Sequence, residues 1–476
     1  MSRFFHFNPE NLERFLRYLS SLIVKFCFTM LAPFFYNSLF RSVRNATLLN
    51  PIRRMAIVLR NYLAKLRLFN RNIRFFLISG FLSSLGMSFY GTLFNLYLKE
   101  SKFSTEFVGQ MLFFSTLGGL LFALPAGVIS TRTNQKLFLI INSFLYVLSS
   151  ALSVLFPIQN GILICVFIAG IASTFSGIVS APLIMANTTD KERTYVFSLQ
   201  FAVGLAGGAI GSSLSGFLSE LLKGQGESLA YGYRLTILGG CAIAAVGLVP
   251  LVFLKIQPLK PEDKLTISIA SIRSLNLRFS LKFLASRALI GLGAGLTIPF
   301  LNIYFRDVYH SKPSNIGIYW SLSNGAMLIG ALLAPLLSDK LGKVKLIVSS
   351  QLLSILFMLG LASAPTESLA LIPFLIRVSL MNMSTPIASA FALEMSPKKE
   401  QGIINAMLML SWSLPWSLST LLGGKLIQNY GFYASFISTS ILYLLSSVLF
   451  YLFFRNVEQE RKVERVAPLP TSLLQK

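Results

Sequence analysis

The sequence predicts an all-α polytopic membrane protein: twelve transmembrane helices in two six-helix bundles related by an internal repeat, preceded by a basic amphipathic N-terminal segment. Three observations predict it. Apolar runs of 18 or more residues recur along the 476-residue chain, each long enough to cross about 30 Å of hydrocarbon. Only 13% of residues are charged, 54% are hydrophobic and the mean hydropathy is +0.66, whereas soluble chains carry roughly 25% charged residues. Short polar stretches also recur about 208 residues apart. A transmembrane barrel would instead alternate polarity over segments of roughly ten residues.

The predicted spans are 75–98, 107–129, 136–156, 162–185, 195–218, 233–254, 281–305, 315–337, 345–363, 369–391, 402–424 and 432–454. Charge orients them. With the residues before Phe75 in the cytoplasm, 33 of the 42 Lys and Arg fall on the inside. Seven fall at the outside (Lys99, Lys102, Lys223, Arg234, Arg306, Lys312 and Lys425), and two, Arg287 and Arg377, lie deep within spans, span-end residues being counted with the adjoining loop. This positive-inside bias puts both termini in the cytoplasm of a cell membrane. It also explains the net charge of +24 by orientation and anionic lipid, leaving no nucleic-acid partner to invoke. The expected organisation is a basic segment 1–74, a bundle 75–254, a cytoplasmic linker 255–280, a second bundle 281–454 and a tail 455–476.

No Asp or Glu occurs between Glu13 and Glu100. Asn50-Pro51 reads as an N-cap followed by a first-turn proline. After it, Ile52, Met55, Leu59, Leu63 and Leu66 line one face, with Arg53, Arg54, Arg60, Lys65 and Arg67 off it. Such a helix suits the anionic-lipid interface. Residues 18–40 are also apolar but are interrupted by Lys25 and Pro33. They either lie in the interface or form an extra span. A cleaved transit segment is the remaining reading, since the stretch is rich in Arg and poor in acids. The sequon Asn45-Ala-Thr47 falls on the predicted inside.

The two halves repeat. "FNLYLKE" at 94–100 matches "LNIYFRD" at 301–307, "GVISTRTNQK" at 127–136 matches "PLLSDKLGKV" at 335–344, and "DKERTYVFS" at 190–198 matches "KKEQGIINA" at 398–406. Across roughly 73–455 the chain resembles the major facilitator superfamily, whose loops after spans 2 and 8 read Gly-x-x-x-Asp-Arg/Lys-x-Gly-Arg/Lys-Arg/Lys. The second copy keeps Asp339, Lys340, Gly342 and Lys343, with Pro335 at the glycine position. The first keeps Gly127, Arg132 and Lys136 but has Thr131, Asn134 and Gln135 elsewhere. "ERTYVFSLQFA", "RVSLMNMSTPIASAFALEM" and "GFYASFISTSILYLL" resemble a poorly characterised bacterial branch of that superfamily. The resemblance implies secondary transport by alternating access, with substrate held between the halves near the bilayer midplane. It implies further that the motif acid braces the start of span 5 or span 11. Asp339 then faces Arg193, while Thr131 faces Gln401, the position 208 residues after Arg193. The expectation is one charged inner latch and one neutral one.

Two in-span cations stand out. Arg377 lies about eight residues into its span, roughly 12 Å deep, too far for easy snorkelling. It either faces the cavity or is satisfied by carbonyls of neighbouring helices. Asn382, Ser384, Thr385 and Pro386 follow it. Arg287 is within snorkelling reach, so binding and anchoring are both open. Asn95 and Asn302 are repeat-equivalent polar groups, and the resemblance places their spans on the cavity. Gln110, Gln200, Trp320, Asn324 and Trp412 are weaker contacts, since such residues more often pack than bind. The glycines of span 5, Gly204, Gly207, Gly208 and Gly211, read chiefly as close helix packing.

All 18 acids fall in loops or near span ends. Proton coupling needs an intramembrane group that titrates, for which Glu394 and then Asp307 are nearest. Two cations without a carboxylate point toward an anionic, zwitterionic or amphipathic solute. No phosphate loop of the GxxxxGK type occurs, Cys27, Cys165 and Cys241 form no CxxC, and His6 and His310 are far apart. ATP drive, a metal site, a cofactor and covalent catalysis are therefore not expected. The sequence reading is a monomeric secondary transporter of a small organic solute. A lipid or lysolipid flippase is the alternative within transport, and a non-transporting receptor or scaffold the alternative outside it.

Overall fold

The computed structural model describes residues 17, 18, 20–25, 69–132, 134–223, 228–255, 277–395 and 401–456. Six long helices form the first half: α1 Arg71–Glu100, α2 Thr105–Arg132, α3 Gln135–Leu155, α4 Gln159–Ala186, α5 Asp190–Leu221 and α6 Leu229–Val246, the last followed by a single turn, Val249–Val252. The second half begins with α7 Leu277–Thr297, which passes through a 3₁₀ turn, Ile298–Phe300, into a short continuation, Leu301–Tyr309. It proceeds through α8 Pro313–Leu341, α9 Lys343–Ala362 and α10 Glu367–Glu394 to a final helical run, Gln401–Phe454. No strand occurs among the described residues.

Eleven of these helices are long and apolar enough to cross a membrane. The last candidate, Met407–Phe454, has 48 residues, about 72 Å of helix, more than twice a bilayer core. It breaks at Gly431, whose φ of 78° and ψ of 175° suit a residue without a Cβ. The arms before and after, α11 (401–430) and α12 (432–454), both lie along α7. Backbone at Trp412 and Trp416 of α11 abuts Gly291 and Gly295, while Tyr443 of α12 covers Gly293. Thr439 and Ser446 of α12 donate to the carbonyls of Gly293 and Ser286, each at 2.8 Å. Contacts therefore run up α7 with α11 and down it with α12. The two arms are antiparallel, and the run supplies two crossings.

Pro299 explains the interruption of α7, because it brings no N–H to the helical ladder. Nearby, the Thr297 hydroxyl lies 2.8 Å from Ser435 Oγ and 2.7 Å from Thr439 Oγ1. The loops divide into two ends. One, the basic end, carries Lys136, Lys340 and Lys343; the other, the Glu100 end, carries Glu100, Lys223, Lys312 and Lys425.

The amphipathic helix expected over 52–67 and the linker 256–276 lie outside the described residues. Part of the N-terminal segment is described. Tyr433, two residues past Gly431, donates to Ser20 Oγ at 3.2 Å, and Ile23 is buried. Phe69 instead packs in a cluster with Ile73, Leu139 and Leu183 at the basic end. Ser20 and Phe69 thus sit at opposite ends of the bundle.

Candidate functional site

At the Glu100 end the halves meet along two seams built from the same repeat positions. Gly109 of α2 lies against Thr420 O and Gly424 of α11, and Gly317 of α8 lies against Ser212 O and Gly216 of α5. Each residue of the first seam is 208 positions from its counterpart in the second. A Cβ at any of these glycines would meet opposing backbone, so the approach requires the missing side chain. Each half also caps a helix of the other. Gln428 Oε1 accepts from Thr105 N at 3.0 Å at the start of α2, and Glu220 Oε1 accepts from Ser314 N at 2.8 Å at the start of α8. A carboxylate is favoured at a helix N-terminus.

Ion pairs reinforce the closure. Arg306 donates through Nε and Nη2 to Glu100 Oε1, at 3.1 and 2.7 Å, and through Nη1 to its neighbour Asp307 at 2.7 Å. Lys425 and Glu106 are 3.6 Å apart, with side chains 59% and 39% exposed, where screening leaves little energy.

Asn95 and Asn302 sit beneath this seal. Asn95 Nδ2 donates to Pro299 O at 2.9 Å and to Asn302 Oδ1 at 3.3 Å, and Asn302 Nδ2 donates to Thr92 O at 3.2 Å. These bonds cross between halves in both directions. Under them lies a cavity of about 320 Å³ with Tyr90, Phe94, Tyr146, Trp320, Trp416, Ser115 and Ser150 on its walls. Both halves contribute, and none of its lining residues is charged.

A second cavity, also about 320 Å³, lies inside the second half. Phe283, Arg287 and Ile290 of α7, Gln351 of α9, Met381, Asn382, Ser384 and Thr385 of α10, Trp412 of α11 and Phe450 of α12 line it. Trp412, which lines this cavity, stacks on Trp416, which lines the first, with ring centroids 4.7 Å apart. Asn324 donates to Trp320 O at 3.1 Å, one turn back on α8. Gln200 is half-buried on α5.

Arg377 does not line either cavity. It is 3% exposed, sealed within the second half beside the Tyr443 phenol. The depth of its position along the span does not tell which face of α10 it occupies. The two coupling candidates are both in ion pairs: Asp307 with Arg306, and Glu394 with Lys343.

The motif loops close differently in the two copies. Gly342 turns from α8 into α9 with φ 85°. Asn134, 208 residues earlier, instead caps α3 by accepting from Lys136 N at 3.1 Å and Leu137 N at 3.4 Å. Gly127 lies within α2; the side-chain expectations for Thr131, Arg132 and Gln401 lie outside the described residues. Lys340 is exposed. Asp339 is exposed and has no ion pair among the described residues. Arg193 itself stands at the start of α5 just after a capping box, in which Thr189 and Glu192 bond reciprocally.

Sequence reading singled out neither the four seam glycines nor the Glu220 and Gln428 caps. The repeat offset was the available signal: applied to every glycine rather than to loops alone, it pairs Gly109 with Gly317 and Gly216 with Gly424.

Comparison with known proteins agrees with this architecture. The uncharacterized MFS-type transporter YceJ of Bacillus subtilis is 23% identical over 350 residues, 73% of this chain and 87% of that protein. Sugar efflux transporter B of Salmonella typhimurium is 25% identical over 202 residues, 41% of this chain and 49% of that protein. The crystal structure of the nucleoside transporter NupG superposes with a TM-score of 0.67 at 16% identity, covering 81% of this chain and 99% of that one. The family model described as Major Facilitator Superfamily matches residues 76–286 and 283–475. A helical chain whose duplicated halves meet at repeat-related seams, and which this model matches over most of its length, belongs to the Major Facilitator Superfamily.

Proposed function

We propose that this secondary transporter carries a small, uncharged, polar organic solute with a ring, of the sugar or nucleoside kind, by alternating access. One observation carries the reading: the cavity between the halves, beneath Asn95 and Asn302, is walled by aromatic rings and neutral hydrogen-bonding groups. Aromatic faces stack on the apolar face of a ring, while amides and hydroxyls exchange hydrogen bonds with its polar edge. The anionic solute expected from Arg287 and Arg377 is not favoured for this cavity, because neither arginine lines it. The names of two similar proteins, a sugar efflux transporter and a nucleoside transporter, are compatible with the neutral class. Lipid flipping and a receptor role have no specific observation in their favour.

Positive-inside asymmetry assigns the basic end to the cytoplasm of the cell membrane. The conformation is then inward-facing, closed at the outer Glu100 end. Because both walls come from one chain, a monomer suffices for the path. The test is solute flux into proteoliposomes, measured over neutral sugars, nucleosides and organic anions. The expected result is saturable flux of a neutral solute, lowered at least about fivefold by Trp416→Ala, since aromatic stacking contributes on the order of 1–3 kcal/mol. Flux of anions alone, or flux unaffected by Trp416→Ala, contradicts the reading.

A further inference from the structure

The cavity inside the second half contains a charge that no acid among the described residues balances. Arg287 Nε is buried without a hydrogen-bond partner, and no acid pairs with Arg287 among the described residues. A guanidinium keeps its proton and offers five donors and no acceptor, and an uncompensated cation at membrane depth is costly. Interfacial anchoring does not account for it. Lys282, five residues nearer the basic end on the same helix, already provides a cation there, with its ammonium over the Phe453 ring at 5.3 Å. Arg377, one turn before Met381 on α10, adds a second positive charge behind the wall. We propose that this cavity binds an organic monoanion, a carboxylate or phosphate ester on a small apolar body, with Arg287 as its counter-charge.

The rest of the cavity suits such a ligand. Its volume, about 320 Å³, lies at the small end of ligand pockets. Phe283, Met381 and Phe450 receive an apolar body, and Gln351 and Asn382 add amides beside Arg287. Gln351 is held in place by Ser447 Oγ at 2.9 Å. The planar guanidinium fork matches two oxygens of a carboxylate or phosphate. This site and the neutral cavity share no lining residue, so the proposal does not depend on which solute crosses between the halves.

The test is equilibrium binding to the full chain in neutral phosphatidylcholine nanodiscs. The probes are benzoate and phenyl phosphate, with benzyl alcohol as the uncharged match. Saturable binding of an anion is expected, with the alcohol at least about tenfold weaker, the range of a charge-assisted hydrogen bond. Arg287→Gln is expected to weaken the anion by a similar factor. Gln351→Glu keeps Arg287 but gives it a counter-charge within the protein. It is expected to abolish anion binding while retaining a cooperative thermal transition, so the test survives if Arg287→Gln fails to fold. Phosphatidylglycerol added to the discs distinguishes sources: competition assigns the site to a lipid headgroup, and its absence to a soluble anion. Equal binding of benzoate and benzyl alcohol, or undiminished benzoate binding in folded Arg287→Gln or Gln351→Glu, overturns the proposal.

Discussion

Gly109 packs backbone to backbone against Gly424 where α2 crosses α11, and the same arrangement recurs 208 residues on between Gly317 and Gly216. Neither seam has room for a side chain. Gly317→Leu and Gly109→Leu are therefore expected to prop the Glu100 end apart. With the native cysteines replaced, a cysteine introduced at Ser115, on the cavity wall, should react several-fold faster with a membrane-impermeant maleimide added on the Glu100 side. An unchanged labelling rate in both variants contradicts a steric seal.

The Glu100–Arg306 pair joins side chains 28% and 25% exposed, so solvent weakens it without removing it. Its contribution to closure is on the order of 1 kcal/mol, about a fivefold change in the closed-to-open ratio. Arg306→Gln should raise Ser115→Cys labelling by about that factor at low salt. The difference from wild type should shrink as ionic strength rises. A salt-independent effect would point to lost packing.

Asn95 and Asn302 bond to each other and to backbone carbonyls across the two halves. Replacing either leaves a buried polar partner unmet, at a cost of about 1–3 kcal/mol. In a double-mutant cycle over Asn95→Ala and Asn302→Ala, thermal stability should be non-additive, with coupling of about 0.5–2 kcal/mol. Strict additivity would mean that the amides act independently.

Glu192, at the basic-end start of α5, accepts from the Thr189 hydroxyl at 2.8 Å and the Thr189 backbone N–H at 3.1 Å. The hydroxyl bond first, and the backbone bond second, hold its carboxyl below the ordinary value. A depressed carboxyl contributes stability above its unfolded pKa, about 4.3, and loses it as pH falls through the lower folded value. Hydrogen exchange at the first turn of α5 should therefore quicken as pH drops below about 4, beyond the intrinsic pH dependence of exchange. Glu192→Gln should show little of that extra change.

Much of this architecture can be read from the chain because membrane crossing imposes a length and a polarity that composition records directly. The repeat adds the relation between halves and marks Asn95 and Asn302 as equivalent positions, but that they bond to each other is visible only in the packing. Rotation about a helix axis is harder to read. Arg377 and Arg287 both stand out as cations at depth, yet only the packing of α9, α10 and α12 decides that Arg377 is walled in beside Tyr443 while Arg287 lines a cavity. The missing motif acid at Thr131 has a local counterpart at the following turn, where Asn134 caps by side chain what Gly342 accomplishes by a left-handed backbone. Span counting from helix length alone would have stopped at eleven, since only Gly431 and the opposite running directions along α7 divide the final run.

The caps supplied by Glu220 and Gln428 have a consequence for how opening at the Glu100 end would be felt. Each belongs to one half but satisfies the first turn of a helix in the other. Separating the halves would leave the N–H groups of Ser314 and Thr105 bare, so rigid-body rocking becomes coupled to fraying of α8 and α2. Conformational entropy gained by those loosened turns would then offset part of the contact energy lost. The helix starts themselves would serve as label-free reporters, their exchange rates counting how often the end opens.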